Sequence, residues 1–325
     1  MVSKNAKILI TGAGGSIGSG LVEKLKELEF ENLILLDHSE YLLFQVYHKN
    51  QYKFKSFLCD IRDKERLEEI FTITKPEIVF HTAALKHVPL LEENPKEAIK
   101  TNVLGTLNLV ELSHKFSVKK FIFISSDKAV KPTSIMGSTK RIGEMICQYF
   151  QKRSSTIYTA VRFGNVLGSS GSVIPIFKEQ IEKGGPITLT SKEITRFFMS
   201  IEQACELLVK TMDLSSKEDD IFFLNMGEPI RIYDLAKYMI LSYGKMPEKD
   251  IKIQIIGLRP GEKLHEEIFY DGEYTINTAV EGIRKVIMNG LPENFYPMLL
   301  ELIQEKDASK IKNLIQKFVP EYSLS

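Results

Sequence analysis

Residues 7–18 read Lys7-Ile8-Leu9-Ile10-Thr11-Gly12-Ala13-Gly14-Gly15-Ser16-Ile17-Gly18. Lys7 to Thr11 is a short apolar run closed by glycine, the pattern of a buried strand. Gly12, Gly15 and Gly18 follow at G-x-x-G-x-x-G spacing, and Ile17, Leu21, Leu25 and Leu28 then recur along one side of a helix. Strand, glycine turn and helix in that order put a tight turn, an approachable backbone and a helix N-terminus in one place, which suits a pyrophosphate. Gly12, Gly15, Ser16, Ile17 and Gly18 are therefore the candidate phosphate contacts. A plain glycine-rich turn has the same spacing, so the reading leans on the strand before and the helix after.

The pattern repeats downstream. Asn32 to Leu36 is a second strand, ended by Asp37, 19 residues after Gly18. A carboxylate there suits a ribose 2′-hydroxyl and repels a 2′-phosphate; no arginine follows nearby, so NAD is favoured over NADP. Asp37 could also simply cap the helix that starts near Ser39. Phe54 to Leu58 is a third strand, after which Asp60, with Ile61 beside it, is placed to reach an adenine amino group. Lys64 to Thr72 reads as a helix and Pro76 to Phe80 as a fourth strand. The small residues Ala83 and Ala84 just beyond would let a nicotinamide ribose lie against the backbone. Pro95 opens a long helix to about Lys115, with Ile99, Val103, Leu107 and Val110 on one stripe, and Lys120 to Ile124 is a fifth strand. Alternating strands and helices of this kind predict an α/β, doubly wound parallel sheet. Thr156 to Arg162 is a sixth strand. Beyond it the pattern loosens into short segments and Gly/Pro-rich loops, so residues 1–170 form the dinucleotide-binding domain. Residues 171–325 form mainly a smaller substrate lobe, with segments that return to the sheet and two terminal amphipathic helices at Pro292–Gln304 and Ala308–Phe318.

Bulk properties narrow the class. Lys and Arg number 43 against 42 Asp and Glu in 325 residues, a formal charge of +1, so no nucleic-acid or anionic-membrane partner is expected. Cys59, Cys147 and Cys205 are scattered in apolar runs without metal-ligand spacing and read as reduced structural thiols; no metal is expected. No apolar run approaches the ~20 residues of a spanning helix, and no leader pattern opens the chain, so a cytoplasmic protein is expected.

The stretch Ser125-Ser126-Asp127-Lys128 follows the fifth strand and leads through Pro132 and Ser134, the predicted N-cap, into a helix from Ile135 to about Arg153. Residues at the carboxyl end of a central strand face the crevice where open α/β sheets bind ligands. Asp127 and Lys128 thus put an acid and an amine side by side in that crevice, while Met136 and Lys140 share one helix face.

These residues resemble the extended short-chain dehydrogenase/reductases, and within them the UDP-N-acetylglucosamine 4,6-dehydratases of bacterial polysaccharide biosynthesis. The likeness runs through Thr11–Gly18, His81–Pro89, Ser126–Val130, Arg162–Ser169, Thr195–Met199 and Gly257–Lys263. The resemblance implies a Rossmann sheet and a reaction in three parts: oxidation at C4, loss of water across C5 and C6, and hydride return to C6. It implies Asp127 as the acid at C6, Lys128 as the base at C5, and Ser126 on a sugar hydroxyl near C4. Lys140, with Lys86 as a second cation, supplies the field near the nicotinamide ribose and substrate; a buried lysine beside other cations loses its proton near neutral pH. Asn165, Arg259 and Glu262, with Arg196 nearby, surround the UDP moiety, although Arg196 reads equally well as a structural arginine. Most of the superfamily has tyrosine where this chain has Met136. A thioether cannot serve as a base, which leaves Asp127 or a water held by Lys140 to take the C4-hydroxyl proton. A branch with methionine here resembles enzymes that retain the C5 configuration, so retention is favoured over inversion. The rival readings are a C5-inverting dehydratase or UDP-sugar 4-epimerase on the same scaffold, and a catalytically silent NAD-binding sensor. Relatives pair through the two long helices, so a homodimer or higher homo-oligomer is expected, with a UDP-N-acetylhexosamine as the small-molecule partner.

Overall fold

The computed structural model describes residues 2–218, 220–270, 273–287, 290–320 and 322. The first half alternates β1 (Ile8–Thr11), α1 (Ser16–Glu27), β2 (Leu33–Asp37), α2 (Glu40–Lys49), β3 (Lys55–Leu58), α3 (Lys64–Thr74) and β4 (Ile78–His81). After α4 (Val88–Glu93) comes the expected long helix. It is not uniform: α5 (Pro95–Ala98) passes through a π-helical segment, Ile99–Leu104, into α6 (Gly105–Lys115). Its stripe of Ile99, Val103, Leu107 and Val110 is buried as the spacing requires. Strand β5 (Lys120–Ile124), helix α7 (Ile135–Gln151) and strand β6 (Ile157–Arg162) complete the unit.

Then follow β7 (Asn165–Val166), α8 (Val173–Glu182), β8 (Ile187–Leu189), β9 (Thr195–Arg196), β10 (Phe198–Met199), α9 (Ile201–Leu214), β11 (Asp220–Leu224), β12 (Ile230–Arg231), α10 (Ile232–Ser242) and β13 (Ile253–Ile255). The chain ends in β14 (Tyr274–Asn277), β15 (Ile283–Ile287), α11 (Phe295–Gln304) and α12 (Ala308–Phe318). The main sheet has nine strands in the order β14-β15-β11-β6-β5-β4-β1-β2-β3. It is parallel from β3 to β11, and β15 and β14 add an antiparallel edge. β1 lies between β2 and β4, with Ile8 opposite both Leu33 and Ile78. Strand order reverses there, which opens a crevice at the carboxyl ends. Helices cover both faces, so β1, β2 and β4 are buried along their whole length and are apolar rather than alternating.

A second, smaller core joins Phe177 and Ile181 of α8, Ile187 and Leu189 of β8, Ile232, Ala236 and Ile240 of α10, and Ile253 of β13. The strands and helices between and after these segments return to the main core, whose members include Ile221, Val286, Leu299 and Ile315.

The C-terminal helices pack against the long helices of the first half. Phe295, Leu299 and Leu302 of α11 and Ile311, Leu314 and Ile315 of α12 are buried within the same chain. Tyr296 stacks on Tyr149 of α7 with ring centroids 5.0 Å apart, and its hydroxyl donates to Glu111 of α6 at 2.7 Å. Helices α11 and α12 therefore cover part of the long-helix surface within the same chain.

Candidate active site

Gly12 adopts φ +66°, and a Cβ there would lie 2.7 Å from the Ala83 backbone, so only glycine lets the first and fourth strand ends come this close. At Gly18 a Cβ would fall 2.1 Å from the Gly12 carbonyl. Helix α1 starts at Ser16 with no side chain capping it and no acidic residue in its first turn. The N–H of Ser19 bonds back to the Gly15 carbonyl at 2.9 Å. The N–H groups ahead of it at this terminus suit an anion. The residues present thus fit a dinucleotide pyrophosphate.

Asp37 is buried, accepting from the Gly14 N–H and the Ser39 N–H, both at 2.9 Å. The helix cap is Ser39, whose side chain accepts from Leu42 N–H, so the capping role considered for Asp37 is corrected. The carboxylate instead ties the glycine turn to the end of β2. Asp60 is held by Arg62, whose Nε and Nη2 donate to Oδ2 at 2.8 and 2.6 Å. Burial works against its charge, yet those bonds win and hold the carboxyl below its usual range. Ile61 is buried against Gly105. Ala83 and Ala84 are partly buried beside the glycine turn.

Two polar groups here escaped the sequence reading. His81 bonds Thr11 through Nδ1 and Thr106 through Nε2, both at 2.9 Å, and burial, helped by the Lys140 charge, pushes its pKa down to about 3. Asn102, in the π-helical segment, accepts from Leu85 N–H at 2.8 Å and donates to the Leu85 carbonyl at 2.9 Å and to Thr139 at 3.0 Å. It clamps the loop after β4 to α7. A histidine at a strand end followed by small residues was the available signal for the first; the π segment behind the second has no sequence mark.

The turn after β5 is built as its sequence suggests. Ser134 caps α7 by accepting from Gly137 N–H at 3.1 Å, and Ser126 caps a 3₁₀ turn over Asp127–Ala129. Ser126 Oγ donates to Asp127 Oδ1 at 2.8 Å; Asp127 Oδ2 is buried with no partner among the described residues. Lys128 Nζ donates to Asp127 Oδ1 and Asn165 Oδ1, each at 3.1 Å, and lies 3.4 Å from Glu266. These surroundings overturn the expectation of a lysine among cations. Burial opposes the charge, but the carboxylates of Asp127 and Glu266 outweigh burial and the nearby Arg196, and the amine titrates above its usual range. Lys140 is the buried amine whose pKa falls: desolvation, opposed by Glu144, brings it to about 8, and its Nζ donates to the Ile124 carbonyl at 2.8 Å. Met136 is buried one turn earlier on the same helix.

A cleft of about 590 Å³ opens beside this turn, lined among others by Lys128, Ser134, Arg196, Arg259, Glu262 and Glu266. Arg196 is mostly committed to protein groups. It donates to the carbonyls of Thr195 at 2.7 Å and Lys263 at 2.8 Å, and lies 3.5 Å from Glu266 and 3.7 Å from Glu262. That favours the structural reading of this arginine. Glu262 accepts from Thr190 at 3.1 Å and from the Arg259 backbone N–H at 3.2 Å, so it shapes the loop that presents Arg259. Lys86 lies in the exposed loop after β4 and its Nζ donates to Ser169 at 3.4 Å; desolvation lowers its pKa.

Glu266 was not anticipated, nor was the pair behind it. Arg162 is fully buried and bonds Glu144 at 2.8 and 2.9 Å and Glu273 at 2.9 Å, while Ser125 donates to Glu144 at 2.6 Å. These charges brace β6, α7 and the loop around residue 270. Among the described residues no cluster of metal ligands occurs, and no helix is long and apolar enough to cross a membrane. The three cysteines are buried and unpaired.

A family model described as "Polysaccharide biosynthesis protein" matches residues 8–288. The chain is 46% identical over 308 residues to the Staphylococcus aureus capsular polysaccharide biosynthesis protein CapD, covering 93% of this chain and 50% of that one. It thus spans about half the length of that relative. An "uncharacterized membrane protein" of Methanocaldococcus jannaschii is 43% identical over 98% of this chain and 97% of its own. A Campylobacter jejuni protein named UDP-N-acetylglucosamine 4,6-dehydratase (inverting) is 34% identical over 86% of this chain and 84% of its own. Among solved structures, Pen from Bacillus thuringiensis superposes with a TM-score of 0.81 at 34% identity, covering 90% of each chain. UDP-glucose 4-epimerase of Thermus thermophilus, in complex with NAD, follows at 0.71 and 25% identity, covering 80% of this chain and 89% of that one.

Proposed function

The chain belongs to the polysaccharide biosynthesis protein family, with the fold of the extended short-chain dehydrogenase/reductases, and from that premise we propose that it is an NAD-dependent 4,6-dehydratase of UDP-N-acetylglucosamine. The observation that carries the reading is the adjacent carboxyl and amine of Asp127 and Lys128, with Lys128 at the cleft wall and Asp127 Oδ2 buried behind it with no partner among the described residues. The glycine turn and the open end of α1 are suited to hold NAD, with Asp37 toward its ribose. Held there, NAD would supply the chemistry of hydride acceptance from C4 and hydride donation to C6.

The chain's own residues then manage protons. In the resting contact Lys128 carries the proton and Asp127 accepts from it. Water loss needs the reverse: a neutral amine to take the C5 proton and a protonated carboxyl to release the C6 hydroxyl as water. One proton passing from Lys128 to Asp127 across 3.1 Å generates both partners at once. Lys128 returns its acquired proton to C5 from the same face, which gives retention. Ser126, already bonded to Asp127, is placed to hold a sugar hydroxyl, and Lys140 supplies positive charge near the nicotinamide ribose. Arg259 is suited to the diphosphate by its planar, permanently charged fork.

The test is incubation of purified protein with NAD and UDP-N-acetylglucosamine, followed by mass analysis. Loss of one water supports the dehydratase. Unchanged mass with altered sugar stereochemistry indicates the epimerase, and no conversion of several UDP-hexoses indicates a silent NAD-binding protein, the reading Met136 favours. Proton NMR of the ketosugar separates retention from the inversion named for the Campylobacter relative. In the same assay Lys128→Ala should abolish water loss while NAD still binds; normal turnover would refute the base.

A further inference from the structure

Glu266 is brought to the catalytic turn from 138 positions further along the chain, and its side chain is only 2% exposed. One carboxylate oxygen lies 3.4 Å from Lys128 Nζ and 3.5 Å from Arg196 Nε; the other is buried with no partner among the described residues. Arg196 grips the backbone of the same loop through the Lys263 and Leu264 carbonyls at 2.8 and 3.3 Å. The guanidinium therefore fixes both the loop and its carboxylate. A buried carboxylate with a free oxygen and a braced position is costly to keep unless the site uses it.

We propose that Glu266 is a positioning residue for Lys128: held by Arg196, it pulls the amine to the cleft wall and governs when that amine can act as a base. The proposal rests on the reading of Lys128 as the C5 base. The charged groups facing the amine are Asp127 from its own turn, Arg196 from β9 and Glu266 from the loop after Lys263, with neutral Asn165 from β7 completing the shell. Both carboxylates favour the charged amine and Arg196 opposes it. Removing one carboxylate charge while Asp127 stays must make the amine release its proton more easily.

Two measurements on the full chain test this in Glu266→Gln, which keeps the shape and removes the charge. In protein carrying ¹³C,¹⁵N-lysine, with the Lys128 signal assigned by its loss in Lys128→Arg, the Lys128 titration is expected to move to lower pH by about one unit, a tenfold change in proton affinity. In the ketosugar assay the rising limb of kcat/KM against pH is expected to move the same way. An unmoved titration, or a loss of activity equal at every pH, would overturn the proposal and leave Glu266 a structural brace. Should Glu266→Gln not fold, Glu266→Asp and Glu266→Ala replace it. The Asp form is expected to titrate within a few tenths of a unit of the parent and the Ala form well below it; equal titrations overturn the proposal. If the parent protein makes no ketosugar, the dehydratase reading falls, while the lysine titration still decides whether Glu266 controls Lys128.

Discussion

Met136 occupies the position where the resemblance leads one to expect tyrosine, and its buried thioether can neither give nor take a proton. On the function proposed above, proton handling falls to the carboxyl and amine groups of Asp127 and Lys128, since position 136 offers neither a hydroxyl nor a phenol. Asp37 offers a separable test of the cofactor end. Asp37→Ala should weaken NAD by about tenfold or more through loss of a charge-assisted hydrogen bond, with affinity for the UDP-sugar unchanged; a calorimetric titration showing equal loss for both ligands would count against the ribose contact. His81 offers a test in stability. Its pKa is about 3 when folded against about 6.5 in an unfolded chain, so the unfolded state binds the extra proton first and stability falls as pH drops below about 6.5. Between pH 7 and 5 this one residue should cost about 2 kcal/mol. Urea unfolding of the parent and of His81→Gln at both values measures it, and an identical slope in the two would exclude His81 as the source.

At the scale of elements, the strand ends β1, β4, β5 and β6 do the positioning, and α7 is the axis they share. That helix is buried on nearly every side and carries Met136, Lys140 and Glu144 on successive turns. Glu144 meets Arg162 in a fully buried bidentate pair, with Arg141 at 3.0 Å on the other oxygen. Burial works against the Glu144 charge, and the two arginines outweigh it and hold the carboxyl below its usual range. Removing Glu144 would leave the buried Arg162 charge with Glu273 alone and unbalance the network in the core. Glu144→Ala should therefore cost about 3–5 kcal/mol, read by chemical denaturation; a cost below about 1 kcal/mol, the size of an exposed pair, would mean the network is solvated. Helix periodicity located α7 and Ser134 announced its start, because caps and stripes are local patterns. The Glu144–Arg162 pair was not legible, because nothing near residue 144 in the chain says that residue 162 lies beside it.

For the whole molecule, the returning C-terminus decides what surface remains. Helices α11 and α12 close the α6–α7 face with Tyr296 on Tyr149 and Lys312 reaching Glu92 at 3.8 Å, while Glu92 in turn accepts from Ile135 N–H at the head of α7. A chain ended after residue 291 should expose this apolar face and self-associate or aggregate. Light scattering checks it, and an unchanged particle size with a native melting curve would show that the helices cover nothing of consequence. The same experiment, run on the parent chain, tests the expected homo-oligomer: a monomeric particle size at working concentration would oppose it.

What the order of residues determined by itself was everything governed by short-range rules. Strand and helix periods, the glycine turn where a Cβ has no room, the cap at Ser134, and the acid–amine pair after the fifth strand depend on neighbours a few positions apart. Tertiary structure alone decided the surroundings of the amine in that pair. Residues 165, 196 and 266 lie far along the chain from Lys128, and an amine's protonation depends on the carboxylates and the water within a few ångströms of it. Only the folded chain sets those distances, and it surrounds Lys128 with acids and makes Lys140 the amine that gives up its proton more readily.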